Sequence, residues 1–268
     1  MNGSASQTAN RTEGRRLSLS DEKRRDFDML VPLLMARRTR TSLAAKFSIC
    51  TLPKTMKAVV FDMDGLMIDS ERVYFDVGRQ LAREFGKEVS DQTLGRMMGR
   101  KPLESMIVYR TELGLTQAPE DLLKMRESRV MKAFEAGVAP MPGLTAVLPK
   151  LAEKYKLAIA TSARRSMVDV IMRPLNLLQY FAVVQTSDDV IHGKPNPEIY
   201  LKAMARLDVK PSESIVLEDS SNGARAGKNA GAYTIAVPSI YTRDQDFTFV
   251  DYVASSLTDA ATKIASLA

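Results

Sequence analysis

The sequence contains one cysteine, Cys50, and one histidine, His192, among its 268 residues. A single cysteine cannot form an internal disulfide, which is compatible with a reducing compartment. A zinc site built from cysteine and histidine is not expected, and neither is a catalytic triad that needs a histidine base. We therefore expect any chemistry to come from carboxylates, hydroxyls and lysine.

Long apolar runs are lacking in the first 60 residues, where the longest is the stretch from Met29 to Ala36. A membrane-spanning helix needs about 20 consecutive apolar residues, so this run is too short to cross a bilayer. At 268 residues, the chain is nevertheless long enough to bury a sizeable core. We predict a globular protein that does not associate with a membrane.

Acidic residues are absent from residues 29–55, and residues 1–55 together carry 11 Lys or Arg and 5 Asp or Glu. The net charge of +6 thus belongs to this segment, and the rest has no surplus charge that would favour nucleic acid. We interpret residues 1–55 as a disordered basic N-terminal extension. Within it, residues 29–55 could be incidental sequence before Met56, an organellar transit peptide or an arm for an acidic partner. We expect a cytoplasmic location, or an organellar one if residues 29–55 are a transit peptide.

From Lys57 onward, short apolar runs typical of buried strands alternate with segments of helical periodicity. Apolar residues recur every fourth position from Val73 to Phe85, which predicts a helix, and Gly86 is suited to its C-terminal end. Strands that alternate with helices predict an α/β fold with a doubly wound parallel sheet. Helical patterns alone fill about 65 residues after the first strand, which predicts an inserted helical cap. We place the core at residues 56–69 and 141–268 and the cap at residues 70–140.

Polar residues follow four of the predicted strands, at the edge where open α/β sheets bind ligands. Each has an ordinary explanation when taken alone, such as a helix cap or a solvated turn. Together they would bring about four carboxylates, a hydroxyl and an amine into one crevice. The residues at these strand ends are Asp62, Asp64 and Gly65 after the first, Thr161 and Ser162 after the second, Lys194 after the third, and Glu218 and Asp219 after the fourth.

This set of groups is suited to a hard dication and a phosphoryl group. Oxygen ligands favour Mg²⁺, which takes one or two carboxylates and retains several waters. Carboxylates this close to one another would repel, so a cation between them would also relieve a destabilising interaction. A phosphate beside them needs Mg²⁺, a lysine and hydrogen-bond donors to offset its charge.

The motifs "DMDGLMIDSE", "IATSARR", "HGKPNPEIY" and "VLEDSSNG" resemble, in this order and spacing, the haloacid dehalogenase-like superfamily. The resemblance covers residues 57 to about 255 and is most similar to the phosphatase and phosphomutase branch with a helical cap. It implies that Asp62 is the nucleophile that forms an aspartyl-phosphate. Asp64 would be the general acid and then the base. Thr161 would bind a phosphoryl oxygen, and Lys194 would neutralise charge on the nucleophile and phosphate.

The resemblance also implies a Mg²⁺ site. The ion would be held by Asp62, the backbone carbonyl of Asp64 and the side chain of Asp219. Glu218 would bind the ion directly or through a water molecule. The implied substrate is a small phosphorylated metabolite, and relatives with this type of cap are often monomers.

Two departures from the family's phosphomutases favour a phosphatase. A histidine of the first cap helix is replaced by Tyr74, and an arginine near the cap-loop glycine is replaced by Pro102. The sequence "DSERVY" instead resembles sugar-phosphate and pseudouridine-5'-phosphate phosphatases. A mutase of the beta-phosphoglucomutase type stays open as an alternative. A catalytically idle protein that binds a partner is a further alternative.

Several other residues are candidates for substrate binding. Gly65 allows the turn that brings the two aspartates to one phosphate, and Ser162 adjoins the predicted phosphate ligand Thr161. Arg164 follows at the mouth of the crevice, where it could contact substrate. Arg100 and Lys101 lie in the predicted cap, where closure over the core would bring them to the leaving group. For all three basic residues, a solvated surface position is the alternative interpretation.

Overall fold

The computed structural model describes residues 55–98 and 100–267, so residues 1–54 of the predicted extension lie outside the described part. Within that part the strands form one sheet of order β3-β2-β1-β4-β5-β6, in which every neighbouring pair is parallel. The α/β class and the parallel sheet predicted from sequence are confirmed. The strands are β1 (Ala58–Phe61), β2 (Lys156–Ala160), β3 (Val183–Gln185), β4 (Ser214–Glu218), β5 (Tyr233–Ala236) and β6 (Tyr252–Val253).

The helices of the described part fall into two groups along the chain. Four lie between β1 and the rest of the sheet: α1 (Ser70–Glu84), α2 (Asp91–Met97), α3 (Pro102–Leu113) and α4 (Pro119–Glu135). The others alternate with the strands: α5 (Leu144–Ala152), α6 (Arg165–Leu175), α7 (Glu198–Arg206), α8 (Ser221–Asn229) and α9 (Leu257–Ala265). Short 3-10 helices span Leu178–Tyr180, Ser187–Asp189 and Pro211–Glu213.

Side chains of β1 alternate between the two faces of the sheet, and both faces are covered. Val59 and Phe61 pack in one apolar cluster with residues of α5, α6 and α9. Ala58 and Val60 pack in a second cluster with residues of α7 and α8. All residues of β1 are buried, as expected for a central parallel strand with helices on both faces.

The helices α1 to α4 pack around an apolar cluster of their own. Its fully buried members include Leu81, Met106, Tyr109 and Leu122. The two chain segments that lead into and out of this group run side by side, because Asp69 and Met141 donate backbone hydrogen bonds to Ala139 and Met67 respectively. The helical group therefore joins the sheet through a paired two-stranded linker.

Some elements agree with the sequence in detail and others were not predicted. Helix α1 was predicted, and Gly86 adopts a positive φ of 65° just after it. Strand β6 and helix α9 were not predicted from the sequence. No helix of the described residues is long and apolar enough to span a membrane.

Candidate active site

The site begins where β1 ends, at a sharp turn of the backbone. Asp62 extends the pairing of β1 with β4 by donating its backbone N–H to Leu217, with N and O 3.0 Å apart. Gly65 then turns the chain with a φ of 75°. A Cβ at this position would overlap the carboxylate of Asp219. The glycine thus permits both the turn and the close approach of Asp219.

Three carboxylates meet at the ends of these two neighbouring strands. Phe61 pairs with Leu217 in the sheet, so the next residues, Asp62 and Glu218, lie side by side. Carboxylate oxygens of Asp62, Glu218 and Asp219 all lie within 4.8 Å of one another, and the three residues are buried. The structure brings these three predicted residues together. The oxygen cluster is of the kind that can hold a divalent metal ion.

Lys194 provides the positive charge at this cluster. Its Nζ donates to Oδ1 of Asp62 at 2.5 Å, to Oε1 of Glu218 at 2.7 Å and to the backbone oxygen of Ala160 at 3.1 Å. The side chain is only 8% exposed. Since one ammonium bridges two carboxylates and the end of β2, Lys194 joins three neighbouring elements of the site.

Glu218 is held by further donors that the sequence analysis did not identify. The Tyr200 hydroxyl donates to Oε1 at 2.7 Å. The backbone N–H and hydroxyl of Ser220 donate to Oε2 at 3.1 and 3.0 Å. Both oxygens of Glu218 are therefore already satisfied by protein groups. The helix-capping pattern after β4 could have indicated the role of Ser220, whereas no local sequence pattern indicates that of Tyr200.

Asp64 lies beside Thr161 on the other side of the turn. The Thr161 hydroxyl donates to Oδ2 of Asp64 at 3.2 Å and accepts from the backbone N–H of Ala163 at 3.0 Å. Oδ1 of Asp64 is buried and has no hydrogen-bond partner among the described residues. The predicted proton donor thus lies beside the predicted phosphate ligand. Burial raises the pKa of Asp64, and the Ser70 hydroxyl at the start of α1 acts to lower it.

Burial dominates the electrostatics of the site. It raises the pKa of Asp62 well above its ordinary value, although Lys194 acts in the opposite direction. Burial and the charges of Glu218 and Asp62 raise the pKa of Asp219 in the same way. Burial also raises the pKa of Asp64. One lysine does not offset this many buried carboxylates, so a bound cation would lower the free energy of the ionised site.

Lys194 itself stays protonated. Burial lowers its pKa, but the charges of Asp62 and Glu218 outweigh that effect and leave the pKa well above its ordinary value. The ammonium is therefore a permanent positive charge at neutral pH and cannot serve as a general base there.

The other residues predicted to bind substrate lie outside this hydrogen-bonded cluster. Ser162 is exposed, and Arg164 is an exposed residue just before α6. Arg100 is exposed and donates Nε to the backbone oxygen of Arg96 at 2.7 Å. Lys101 is exposed just before α3. Substrate contacts for these four stay predictions.

A further acidic residue reaches the site from α1. Glu71 accepts a hydrogen bond from the Ser239 hydroxyl at 2.8 Å, and burial raises the pKa of Glu71. Tyr241 in the same loop packs on Phe75, with ring centroids 4.7 Å apart. The loop after β5 thus contacts the helical group beside the active site. No sequence pattern predicted this contact, because it joins segments about 170 residues apart.

Comparison with known proteins identifies the family of this chain. Residues 59–237 match the family of haloacid dehalogenase-like hydrolases. The chain is 36% identical over 177 residues to a phosphorylated carbohydrates phosphatase from Thermotoga maritima, covering 66% of this chain and 82% of that protein. It is 32% identical over 211 residues to a probable pseudouridine-5'-phosphatase from Drosophila melanogaster, covering 75% of this chain and 89% of that protein.

The fold also agrees with solved structures. The crystal structure of a putative beta-phosphoglucomutase from Thermotoga maritima superposes with a TM-score of 0.68 at 29% identity. The match covers 79% of this chain and 99% of that protein. The chain therefore belongs to the haloacid dehalogenase-like hydrolase family, in the branch that contains phosphatases and beta-phosphoglucomutases.

Proposed function

We propose that the chain is a Mg²⁺-dependent phosphomonoesterase that hydrolyses a small phosphorylated metabolite through an aspartyl-phosphate. The observation that carries this proposal is the bridge from Lys194 to Asp62 and Glu218 beside the Asp64–Thr161 pair. This arrangement supports a nucleophile, a proton donor and charge-neutralising groups around one phosphoryl group.

In the first step, an oxygen of Asp62 attacks phosphorus, and a new P–O bond forms while the bond to the leaving oxygen breaks. Asp64 donates its proton to that oxygen, and its raised pKa supports this role. Asp64 then removes a proton from water, whose oxygen attacks phosphorus and releases Asp62. Thr161 and Lys194 hold the phosphoryl oxygens and offset their charge, since positioning and charge stabilisation dominate phosphoryl transfer.

The donor set fits Mg²⁺, because it consists of oxygens only and three carboxylates lie within 4.8 Å of one another. We propose Asp62, Asp219 and the backbone carbonyl of Asp64 as the direct ligands. Glu218 already accepts four hydrogen bonds, which favours its contact through water. When bound, the ion would neutralise charge on the phosphoryl oxygens and the carboxylates.

The proposed substrate is a sugar phosphate or a nucleoside or pseudouridine monophosphate, which the names of the two phosphatase relatives support. In this proposal, residues 70–140 form a cap that covers a core of residues 56–69 and 141–268. We further propose a monomer that does not bind nucleic acid. A cytoplasmic location, or an organellar one if residues 29–55 are a transit peptide, stays a prediction.

A phosphomutase is the second candidate, favoured by the likeness to a putative beta-phosphoglucomutase. The surroundings of Tyr74 argue against it. The ring of Tyr74 packs edge-on against Phe134, and its hydroxyl lies 3.9 Å from the sulfur of Met167. Burial raises the pKa of Tyr74, so this residue cannot exchange a proton near neutral pH as a histidine would. Water is then the favoured acceptor of the phosphoryl group.

The test is a screen of phosphorylated metabolites and p-nitrophenyl phosphate for phosphate release, with Mg²⁺ and with EDTA. We expect release only with Mg²⁺, and loss of at least about 10³-fold in kcat for Asp62→Asn, because the nucleophile is removed. Asp76→Asn is the control, since Asp76 is an exposed residue of α1.

The products and the Asp62→Asn variant decide between the candidates. Conversion of β-glucose 1-phosphate to glucose 6-phosphate without free phosphate would favour the mutase. Full activity of Asp62→Asn would contradict the assigned nucleophile. An inactive wild-type protein with Mg²⁺ shown to be bound would favour the catalytically idle alternative.

A further inference from the structure

Arg126 on α4 is a half-buried arginine whose role is not explained by the packing of the helical group. Its guanidinium carbon lies 5.1 Å from the centroid of the Tyr74 ring. Its Nε is buried and has no hydrogen-bond partner among the described residues. Burial lowers the pKa of Arg126, and no carboxylate of the described part forms an ion pair that would offset this effect.

The other half-buried arginines of the helical group, Arg79 and Arg129, form ion pairs with carboxylates. Arg129 lies three residues further along α4 and binds both carboxylate oxygens of Glu84, with Nε 2.8 Å from Oε1. Arg96 forms an ion pair with Glu112 at 2.8 Å. A partly buried cation with an enclosed N–H that has no partner costs free energy, and charges removed from water are normally paired. Among the half-buried arginines of the helical group, Arg126 is the exception, which indicates a group that is absent from the protein itself.

Arg126 lies on the side of the site where the leaving group would sit. Tyr74, which Arg126 covers, reaches to Met167 on α6. Met167 lies in the first turn of α6, which directly follows the loop where Thr161 donates to Asp64. Tyr74 and Arg126 therefore lie on the side of that pair. Since Asp64 is the proposed donor to the leaving oxygen, the rest of the leaving group would extend toward Tyr74 and Arg126.

We propose that Arg126 binds a second anionic group, a carboxylate or a phosphate, carried by the leaving group of the substrate. The inference rests on the proposed phosphatase function, because that function defines the leaving group. The guanidinium fork binds carboxylate and phosphate with two parallel hydrogen bonds, and the ion pair offsets the cost of the buried charge. A hydroxyl would accept a hydrogen bond from Nε but would leave that charge uncompensated. The substrate is thus a phosphate monoester with a further negative charge.

The test compares matched pairs of substrates in the full-length protein with Mg²⁺. One pair is 2-phosphoglycolate and ethyl phosphate, and the other is glucose 1,6-bisphosphate and glucose 6-phosphate; p-nitrophenyl phosphate is the reference. We expect the wild type to prefer one of the doubly anionic compounds over its singly anionic partner. A preference for 2-phosphoglycolate would show that a carboxylate is bound, and a preference for glucose 1,6-bisphosphate would show that a phosphate is bound. Arg126→Met should lower kcat/KM for the preferred compound by about 10- to 100-fold and for p-nitrophenyl phosphate by less than about threefold.

Matched variants separate recognition from folding. Arg129→Met removes a cation from the same helix and should leave the substrate preference unchanged. Arg126→Lys keeps the positive charge but loses the guanidinium fork, so it should reduce the substrate preference several-fold. If Arg126→Met does not fold, Arg126→Lys supplies the test. An equal loss on all substrates, or a wild type that does not prefer either doubly anionic compound, would overturn the inference.

A failure of the proposed function is recognised separately. In that case the wild type would release no phosphate from any compound, p-nitrophenyl phosphate included. Calorimetric titration with 2-phosphoglycolate and with glucose 1,6-bisphosphate would then decide the inference alone. Binding of either compound that is weakened in Arg126→Met but not in Arg129→Met supports it, and any other pattern overturns it.

Discussion

Glu218 has no exposed surface, and its carboxylate accepts hydrogen bonds from Lys194, Tyr200 and Ser220. It lies directly above Gly223 in the first turn of α8, where a Cβ would overlap both of its oxygens. The absence of a side chain at position 223 is therefore a requirement of the active site. This glycine is helical, so close approach and not backbone freedom explains it.

Gly223→Ala should consequently damage the site. The new methyl group would displace Glu218 from its donors, and we expect a loss of about 1–3 kcal/mol in the free energy of unfolding. Gly95→Ala is the matched control, because a Cβ at that position in α2 meets nothing within 4 Å. It should raise stability by about 0.5–1 kcal/mol, since alanine favours the helix. Urea unfolding of both variants measures the difference, and equal stabilities would contradict the packing argument.

The acidic residues of the site could be predicted from the sequence, whereas the residues that support them could not. Asp62, Asp64, Glu218 and Asp219 could be assigned because each follows a strand, and parallel strand ends share one edge. Tyr200 could not be assigned in this way. It looks like an ordinary apolar residue of an amphipathic helix, and its contact with Glu218 exists only once α7 has packed on the sheet.

At the scale of elements, α7 fixes the loop that carries Lys194. Its first residue, Glu198, accepts backbone hydrogen bonds from Ile191 and His192, and Lys202 donates to it at 2.7 Å. The Lys202 ammonium and the two backbone donors hold the pKa of Glu198 at about 2. The ionised carboxylate of Glu198 therefore stabilises the folded loop. Lys194 follows two residues after His192, the last loop residue that Glu198 contacts.

Glu198→Gln should lower the melting temperature at neutral pH. Because the pKa of Glu198 is depressed in the folded protein, its contribution is complete above the ordinary value of 4.5 and is lost as pH falls toward 2. The difference in Tm between wild type and variant should thus shrink steadily below pH 4.5. Glu120→Gln in the first turn of α4 is a control with an exposed carboxylate. A pH-independent difference would show that the carboxylate acts through packing alone.

The elements themselves were predictable in proportion to their length and pattern. Helix α1 has a clear apolar period and was predicted, whereas β6 has only two residues and forms because Tyr252 and Val253 pair with β5. A two-residue strand carries no periodic signal. Helix α9, which packs against α5 through Leu257 and Ile264, was also missed. Helix α9 follows directly after β6, which was itself not predicted.

At the scale of the whole molecule, charge and chemistry are separated along the chain. The sheet, its helices and every proposed site residue lie within residues 55–98 and 100–267. The net charge of +6 is carried by residues 1–55, whereas residues 56–268 are formally neutral. The electrostatic attraction of the whole chain for acidic surfaces would therefore come from a segment that contains none of the proposed catalytic residues.

A chain shortened to residues 56–268 should accordingly keep its activity. We expect kcat/KM for phosphate release and the Tm to stay within about twofold and a few degrees of the full-length values, while retention on a cation exchanger at pH 7 is lost. The cut preserves Lys57, whose backbone N–H and ammonium contact Glu213 at 2.8 Å and hold the start of β1. A chain beginning at Val60 is the control and should not fold, since it lacks half of a central strand. If the 56–268 chain were folded but inactive, residues 1–55 would contribute directly to the site, and the separation of charge from chemistry would be wrong.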